Sequence, residues 1–181
     1  MNYIEIITAI KKYIPNLPPT EILAAVNYIH NGKTKWGESG DINSEIRRKL
    51  VKEIYEELDP SFRNIIRYLL EQEIIFCRKE TVMTHTLRRL CFVLYKYSEI
   101  EDIPLLYEAK FDTSFDAQGL LDIELIYGKD KEAIKNYFTK HPIKFNIVDT
   151  INQNEKDYHF SYIDYLEHIN NYYPNEDEEE G

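Results

Sequence analysis

The stretch FDTSFDAQGLLDIELIYGKDKEAIKNYFTKH, from Phe111 to His141, contains the signals that a hairpin of two α-helices requires. Three residues near its start can supply N-cap oxygens: Asp112, Ser114 and Asp116. Apolar residues follow at helical spacing from Leu120 to Ile126, Gly128 ends this first helix, and Asp130 caps the second. Two short amphipathic helices cannot bury their apolar faces alone. The hairpin therefore predicts further helices packed against it.

The rest of the chain supplies such helices. Apolar residues recur every three or four positions, which predicts helices at about 2–14, 20–31, 42–58, 60–78, 81–97, 101–110 and 161–172, with a weaker one near 145–151. Seven Pro and only six Gly argue against a turn-rich β protein. The sequence predicts an all-α fold that forms one domain over residues 1–173, followed by an acidic C-terminal tail at 174–181.

The predicted helix starts fall into pairs: 42 with 60, 81 with 101, and 116 with 130. Their first members are about 39 and about 35 residues apart, a spacing typical of α-solenoids. Residues 42–141 resemble HEAT- or armadillo-like repeat proteins in this spacing. The resemblance implies antiparallel hairpins stacked as a short α-solenoid, and a compact helical bundle is the alternative. The Phe111–His141 hairpin is also similar to segments of uncharacterised bacterial helical proteins, which implies no activity.

The net charge of −10 is concentrated towards the C-terminal end. Residues 1–41 are neutral, residues 42–97 carry +3, and residues 98–181 carry −13, with seven Lys against twenty acids. All seven Arg lie in the middle block: Arg47, Arg48, Arg63, Arg67, Arg78, Arg88 and Arg89. An acidic half repels nucleic-acid phosphates and anionic lipids and favours a basic protein partner.

Residues of the types found in catalytic and metal-binding sites lack the spacing that such sites require. The five His form no H-E-x-x-H pattern, no G-x-S-x-G surrounds a Ser, and no Gly-rich loop follows a strand. The nearby carboxylates Asp112 and Asp116 are explained as helix caps, and Asp122 and Glu124 point in different directions on a helix. The sequence therefore predicts a protein without enzymatic activity, cofactor or metal.

Cys77 and Cys91 each lie in an apolar helical pattern without C-x-x-C spacing, which is typical of buried thiols in a reducing compartment. The N-terminal residues lack a secretory pattern, and no window approaches eighteen uncharged apolar residues. These observations predict a cytoplasmic protein that does not contact a membrane. The oligomeric state and the identity of a partner stay open.

Together the patterns predict a non-enzymatic protein–protein interaction module that uses an acidic helical surface. Six residues are the candidates for contacting the partner: Asp112, Asp116, Asp122, Glu124, Tyr162 and Trp36. Arg88 and Arg89 are predicted to organise the interior by pairing with the acidic hairpin. One alternative is an immunity or inhibitor protein that neutralises a basic toxin or nuclease, by analogy with its acidic, motif-free helical profile. The other is a nucleic-acid-binding helical repeat protein that uses the Arg block 47–89, although the interleaved acids argue against it.

Overall fold

The computed structural model describes residues 3–33, 40–57, 59–156 and 161–172, and these residues form an all-α fold without a β-strand. The prediction that the fold is all-α is therefore confirmed. The described helices are α1 (Tyr3–Lys11), α2 (Thr20–Leu23), α3 (Ser44–Glu57), α4 (Arg63–Glu80), α5 (His85–Tyr97), α6 (Ile103–Phe111), α7 (Phe115–Leu120), α8 (Glu124–Tyr127), α9 (Lys131–Lys140), α10 (Ile147–Asn154) and α11 (Tyr162–Tyr172). Two 3-10 turns precede α4 and α6. Trp36 and the tail at 174–181 lie outside the described residues.

Helices α4 and α5 form the centre of the fold, because they make the most extensive contact among the described helices. Helix α3 packs on α5, while α6 packs on α4, α5, α7 and α8. Helix α10 packs on both α9 and α8. One cluster of buried apolar residues extends from Ile6 in α1 to Ile169 in α11. It includes Cys77 and Cys91, which are buried as predicted, and burial raises the pKa of the Cys77 thiol to about 12.

The helix starts and ends predicted for the Phe111–His141 hairpin are partly confirmed. Ser114 caps α7 by accepting a hydrogen bond from the amide of Ala117, and Asp130 caps α9 by accepting one from the amide of Ala133. Gly128 follows α8 with a φ of +54°, a conformation that side chains with a Cβ rarely adopt. Asp112 does not cap a helix start, because it lies at the C-terminal end of α6.

The second predicted helix is shorter than expected. Helicity was predicted from 20 to 31, but α2 ends at Leu23. Local hydrogen bonds continue through a turn to Val26, but the amide of Tyr28 donates to the Gln72 side chain, and that of Ile29 donates to Asp41. Asn31 then hydrogen-bonds to the carbonyl of Gly40. From Tyr28 onward, these long-range partners replace the local hydrogen bonds of a helix.

Candidate functional site

Among the described residues of the acidic half, α7 carries the most exposed large apolar side chain. Ala117 is the one buried residue among the six described residues of this helix. The side chain of Phe115 is 85% exposed and that of Leu120 is 54% exposed. Leu120 was expected to face the core, and this expectation is wrong. Isolated apolar residues are common on protein surfaces, but an aromatic ring as exposed as that of Phe115 is available for contact with another molecule.

A buried lysine holds α7 in place. Nζ of Lys110 in α6 donates to the carbonyl of Gln118 at 2.6 Å and also to the carbonyl of Leu121. These bonds satisfy carbonyls at the C-terminal end of α7, where the intrahelical pattern stops. The chain then turns before α8 begins at Glu124, so the single helix predicted between Asp116 and Gly128 is two helices. Burial lowers the pKa of Lys110 below its ordinary value of 10.5.

Replacing Lys110 with methionine tests this contact. The variant Lys110→Met keeps most of the apolar stem but leaves two carbonyls without their donor, so we expect the free energy of unfolding to fall by about 1–3 kcal/mol. Because the folded pKa of Lys110 lies below the unfolded value, the unfolded state binds more protons between the two values. The stability difference between wild type and variant should therefore grow as pH rises towards 10.5.

Urea unfolding at neutral and at alkaline pH measures both effects. Lys129→Met is the matched control, since Lys129 is exposed and loses the same charge on substitution. It should change stability by less than about 0.5 kcal/mol at either pH. Equal behaviour of the two variants would show that Lys110 does not hold α7.

The structure places the predicted partner-contacting residues in different environments. Asp112 and Asp116 are exposed at α7, and Asp112 pairs with Arg78 at 3.0 Å. Asp122 is exposed and accepts a hydrogen bond from the hydroxyl of Tyr165 at 3.0 Å. Asp112 and Asp116 are therefore exposed acids close in sequence to the exposed apolar side chains of α7.

Two further candidates are built into the fold. Glu124 is only 5% exposed, and burial raises the pKa of its carboxyl group. The hydroxyl of Tyr162 donates to the carbonyl of Lys96, and its ring packs 5.4 Å from that of Tyr95. Neither side chain belongs to the α7 surface. We define the α7 face as Asp112, Phe115, Asp116 and Leu120.

Most arginines of the Arg block form contacts with other residues of the protein. Arg47 is completely buried and pairs with Asp41 and Glu73. Other Arg side chains pair with nearby carboxylates: Arg48 with Glu45, Arg63 and Arg67 with Asp102, and Arg78 with Glu108 and Asp112. Arg89 is buried with its guanidinium 6.0 Å from the centre of the Tyr55 ring. The cations of the Arg block thus serve largely in contacts within the protein.

The side chain of Arg88 contacts the backbone of the acidic hairpin. Its Nη2 donates to the carbonyl of Leu120 at 3.4 Å, which places the guanidinium at the C-terminal end of α7. A cation at this end also interacts favourably with helix carbonyls. Arg88 therefore contacts the hairpin as predicted, but its acceptor here is a backbone carbonyl, whereas the sequence had suggested an acidic side chain.

Sequence reasoning missed both apolar members of the α7 face. The sequence assigned Leu120 to an apolar helix face, and it gave no role to Phe115, which lies between Ser114 and Asp116. One signal could have found them: Asp116, Gln118 and Gly119 occupy half of the six-residue segment, so the segment has few side chains that suit a core. The orientation of Phe115 and Leu120 depends on the end of α7 at Leu120. The local spacing of apolar residues does not predict this end.

The described residues offer no group of three or more His, Cys, Asp or Glu side chains that could hold a metal ion. Within the same part of the chain, the helices are too short or too polar to span a membrane. No known protein family, curated protein or solved structure matches this chain.

Proposed function

We propose that this chain is a non-enzymatic protein–protein interaction module whose α7 face binds a basic protein partner. The observation that carries the proposal is Phe115, an aromatic side chain that is 85% exposed between the exposed acids Asp112 and Asp116. Burying such a ring at an interface gains free energy that the isolated chain does not obtain, and aromatic residues dominate the binding energy of many interfaces.

The charge of the surroundings selects the partner. Residues 98–181 carry a net charge of −13, and Asp116 lies on α7 itself. Such a field speeds the encounter with a basic protein and repels an acidic one. The apolar pair Phe115 and Leu120 would then enter a pocket or groove of the partner, while the acids contact Lys or Arg at the rim.

The non-enzymatic part of the proposal is supported by the acid Glu73, which lines a cavity between α3, α4 and α5. One carboxylate oxygen accepts from Nε of Arg47 at 2.9 Å, and the other accepts from the Thr84 hydroxyl at 2.6 Å. A general base needs a carboxylate oxygen that can reach the proton of a substrate. Both oxygens of Glu73 are engaged by the protein, as expected of a structural acid.

We also propose that the helices stack as successive hairpins of a short α-solenoid. Its support is that α6 packs on α4 and α5 before it and on α7 and α8 after it, while α10 packs on α8 and α9. Contacts between units that are neighbours in sequence are typical of repeat proteins. A stack of this kind presents a ridged surface that suits protein binding.

A narrower form of the proposal is an immunity or inhibitor protein whose partner is a basic toxin or nuclease. The exposed acids and Phe115 suit the cationic surface of a nucleic-acid-cleaving protein. The nucleic-acid-binding alternative has less support. Arg47 and Arg89 are buried, and Arg63, Arg67 and Arg78 pair with carboxylates, so few of these cations are placed to contact phosphates.

Substitutions on the α7 face test the proposal directly. With wild-type protein as bait, a captured basic protein is purified and its dissociation constant is measured against each variant. Phe115→Ala should weaken binding by about 30-fold or more, the effect of losing a central aromatic anchor worth about 2 kcal/mol. Asp116→Lys should slow association and reduce its dependence on salt, because a steering charge has been reversed.

The chain offers matched controls far from α7. Ile4→Ala removes a 69% exposed apolar side chain in α1, and Glu56→Lys reverses an exposed acid in α3. Neither should change the dissociation constant by more than about twofold. Phe115→Ala should also leave the free energy of unfolding within about 0.5 kcal/mol of wild type, since exposed substitutions have small effects. If all four variants bind the purified partner equally, the α7 face is not the binding surface.

A further inference from the structure

An apolar groove of about 400 Å³ lies where the ends of α5, α6, α8 and α9 meet. Ile103 and Ile134 form its floor and are almost completely buried, whereas Ile100 and Ala133 form walls that solvent can reach. The groove lies at the first turn of α6, and the α7 face follows the last residue of that helix. Its volume falls in the range of sites that hold small molecules, which are mostly apolar with a few polar groups.

The backbone at Gly128 gives the floor of the groove its shape. Its φ is +54°, and a Cβ at this position would clash with Cδ1 of Ile134 and lie 3.2 Å from Cδ1 of Ile103. The hydroxyl of Tyr95 donates to the carbonyl of Gly128 at 3.1 Å, which fastens this turn to α5. The floor is therefore held in place before a ligand binds, and this lowers the cost of binding.

The charged side chains at the rim leave a negative balance. Three acids and one lysine line the groove: Glu99, Glu101, Asp130 and Lys129. Glu99 pairs with Nη1 of Arg63 at 3.0 Å, so three carboxylates face two cations and the balance is −1. Glu101 is exposed, and within the described part of the chain no ion pair engages it.

The helix ends at the groove do not reverse this sign. Ser98, the C-cap of α5, lines the groove, and the C-terminal end of a helix carries a partial negative charge. Helix α9 begins on the other side, and the partial positive charge of its N-terminal end faces its own cap, Asp130. Residues 98–181 as a whole carry −13. The groove therefore attracts a cation.

We propose that this groove binds a small organic amine, with the apolar part of the ligand on Ile100 and Ala133 and its ammonium group beside Glu101 and Asp130. Burial of the apolar part supplies the affinity, and hydrogen bonds from the ammonium group to carboxylates orient the ligand. The helix cap uses Oδ1 of Asp130, so Oδ2 can accept from the ligand. The site is independent of the α7 face and of the protein partner proposed for it.

Phenethylamine, 2-phenylethanol and 3-phenylpropionate are suitable probes, because they share a phenylethyl group and differ in charge. We expect phenethylamine to shift the backbone amide signals of residues 98–103 and 128–134 in two-dimensional NMR spectra of the full chain. The alcohol should bind about fivefold more weakly, and the carboxylate more weakly still, since the charge is first removed and then reversed. Methylamine, which has the charge without the ring, should leave these signals unshifted.

Substitutions at the rim distinguish the groove from general charge attraction. Asp130→Asn removes a charge but keeps the helix cap, because Asn accepts the same amide hydrogen bond. Combined with Glu101→Gln, it should weaken phenethylamine binding about fivefold. The matched control combines Asp149→Asn with Glu167→Gln, which removes two exposed acids of the same half outside the groove. It should change the affinity by less than about twofold.

A larger side chain on the wall tests the apolar contact. Ala133→Leu should weaken phenethylamine binding by about tenfold or more, because the added carbon atoms occupy the groove. Its stability should stay near that of wild type, since Ala133 is exposed. Ala24→Leu is the matched control at an exposed alanine beside α2, and it should change the affinity by less than about twofold.

Any of four results would overturn the proposal. The first is the absence of signal shifts at about 10 mM phenethylamine, where even millimolar affinity is visible. The second is binding of the alcohol, the carboxylate or methylamine as tight as that of phenethylamine. The third is an equal loss of affinity in the two double variants, which would indicate general charge attraction. The fourth is unchanged affinity in Ala133→Leu.

Discussion

Replacing Arg47 with methionine is expected to lower the free energy of unfolding by about 3–5 kcal/mol. This arginine is 0% exposed, and its guanidinium connects three separate parts of the chain. Nε donates to Glu73 in α4 at 2.9 Å, Nη2 lies 2.5 Å from Asp41, and Nη1 donates to the carbonyl of Val26. It also lies 5.7 Å from the centre of the Phe76 ring.

The size of the effect follows from what the substitution leaves behind. Without Arg47, the side chains of Asp41 and Glu73 remain inside the protein as two carboxylates that lack their common cation. An uncompensated charge in a low-dielectric interior costs several kcal/mol, and two such charges also repel each other. Methionine keeps most of the volume of the arginine stem, so the loss reports on the charge and not on a cavity.

Urea unfolding followed by circular dichroism measures this effect. Arg48→Met is the matched control on the next residue, because Arg48 pairs with Glu45 at the surface and loses the same charge. An exposed pair of this kind contributes less than about 1 kcal/mol. Equal losses for Arg47→Met and Arg48→Met would contradict the role that the structure gives to Arg47. The additional change Glu73→Met should recover part of the loss, since it removes one of the two orphaned carboxylates.

The contrast between Arg47 and Arg48 shows where sequence reasoning stops. Spacing of apolar residues predicted α3, α4, α5 and α9 within a few residues, because helical periodicity and capping are local properties. It did not indicate that Arg47 is buried while Arg48 is exposed. Which of the two enters the core depends on how α3 is rotated against α4, and their partners lie 3 to 26 residues away. The predicted organisers were Arg88 and Arg89, whereas Arg47 holds the buried ion pairs.

The candidate site shows the same limit. The acids Asp112 and Asp116 could be selected from sequence, because net charge and caps are visible there. The exposure of Phe115 could not, because it depends on Lys110 holding α7 with Ala117 as its inward-facing residue. A buried lysine that donates to carbonyls is a tertiary feature, and nothing in the local pattern of α6 indicates it. The break between α7 and α8 lies at the same contact.

Replacing Asp102 with alanine is the second substitution for which we expect a large loss of stability, about 3 kcal/mol. Asp102 is 0% exposed and lies where the 3-10 turn leads into α6. One oxygen accepts from Nε of Arg63 at 2.8 Å and from the amide of Glu99 at 2.8 Å. The other accepts from Arg67. This carboxylate therefore fastens the start of α6 to two turns of α4.

The expected loss is at the lower end of the range for buried pairs because both arginines are partly exposed. After the substitution, Arg63 and Arg67 can turn towards water, so neither is left as a fully buried charge. The amide of Glu99 loses its acceptor, and the capping of the turn is lost with it. Asp102→Asn should cost less than alanine, since the amide oxygen can still accept one of these bonds.

Unfolding curves for Asp102→Ala, Asp102→Asn and the control Glu101→Ala test this order. Glu101 is the exposed neighbour, and its replacement should change stability by less than about 0.5 kcal/mol. A loss below about 1 kcal/mol for Asp102→Ala would mean that the ion pairs of Asp102 with Arg63 and Arg67 contribute little to stability.

Helix α6 begins beside Asp102 and ends beside Lys110, so the two residues fix opposite ends of the helix that positions α7. Asp102→Ala should therefore lower stability while folded protein still binds the partner of the α7 face, whereas Phe115→Ala should weaken binding at unchanged stability.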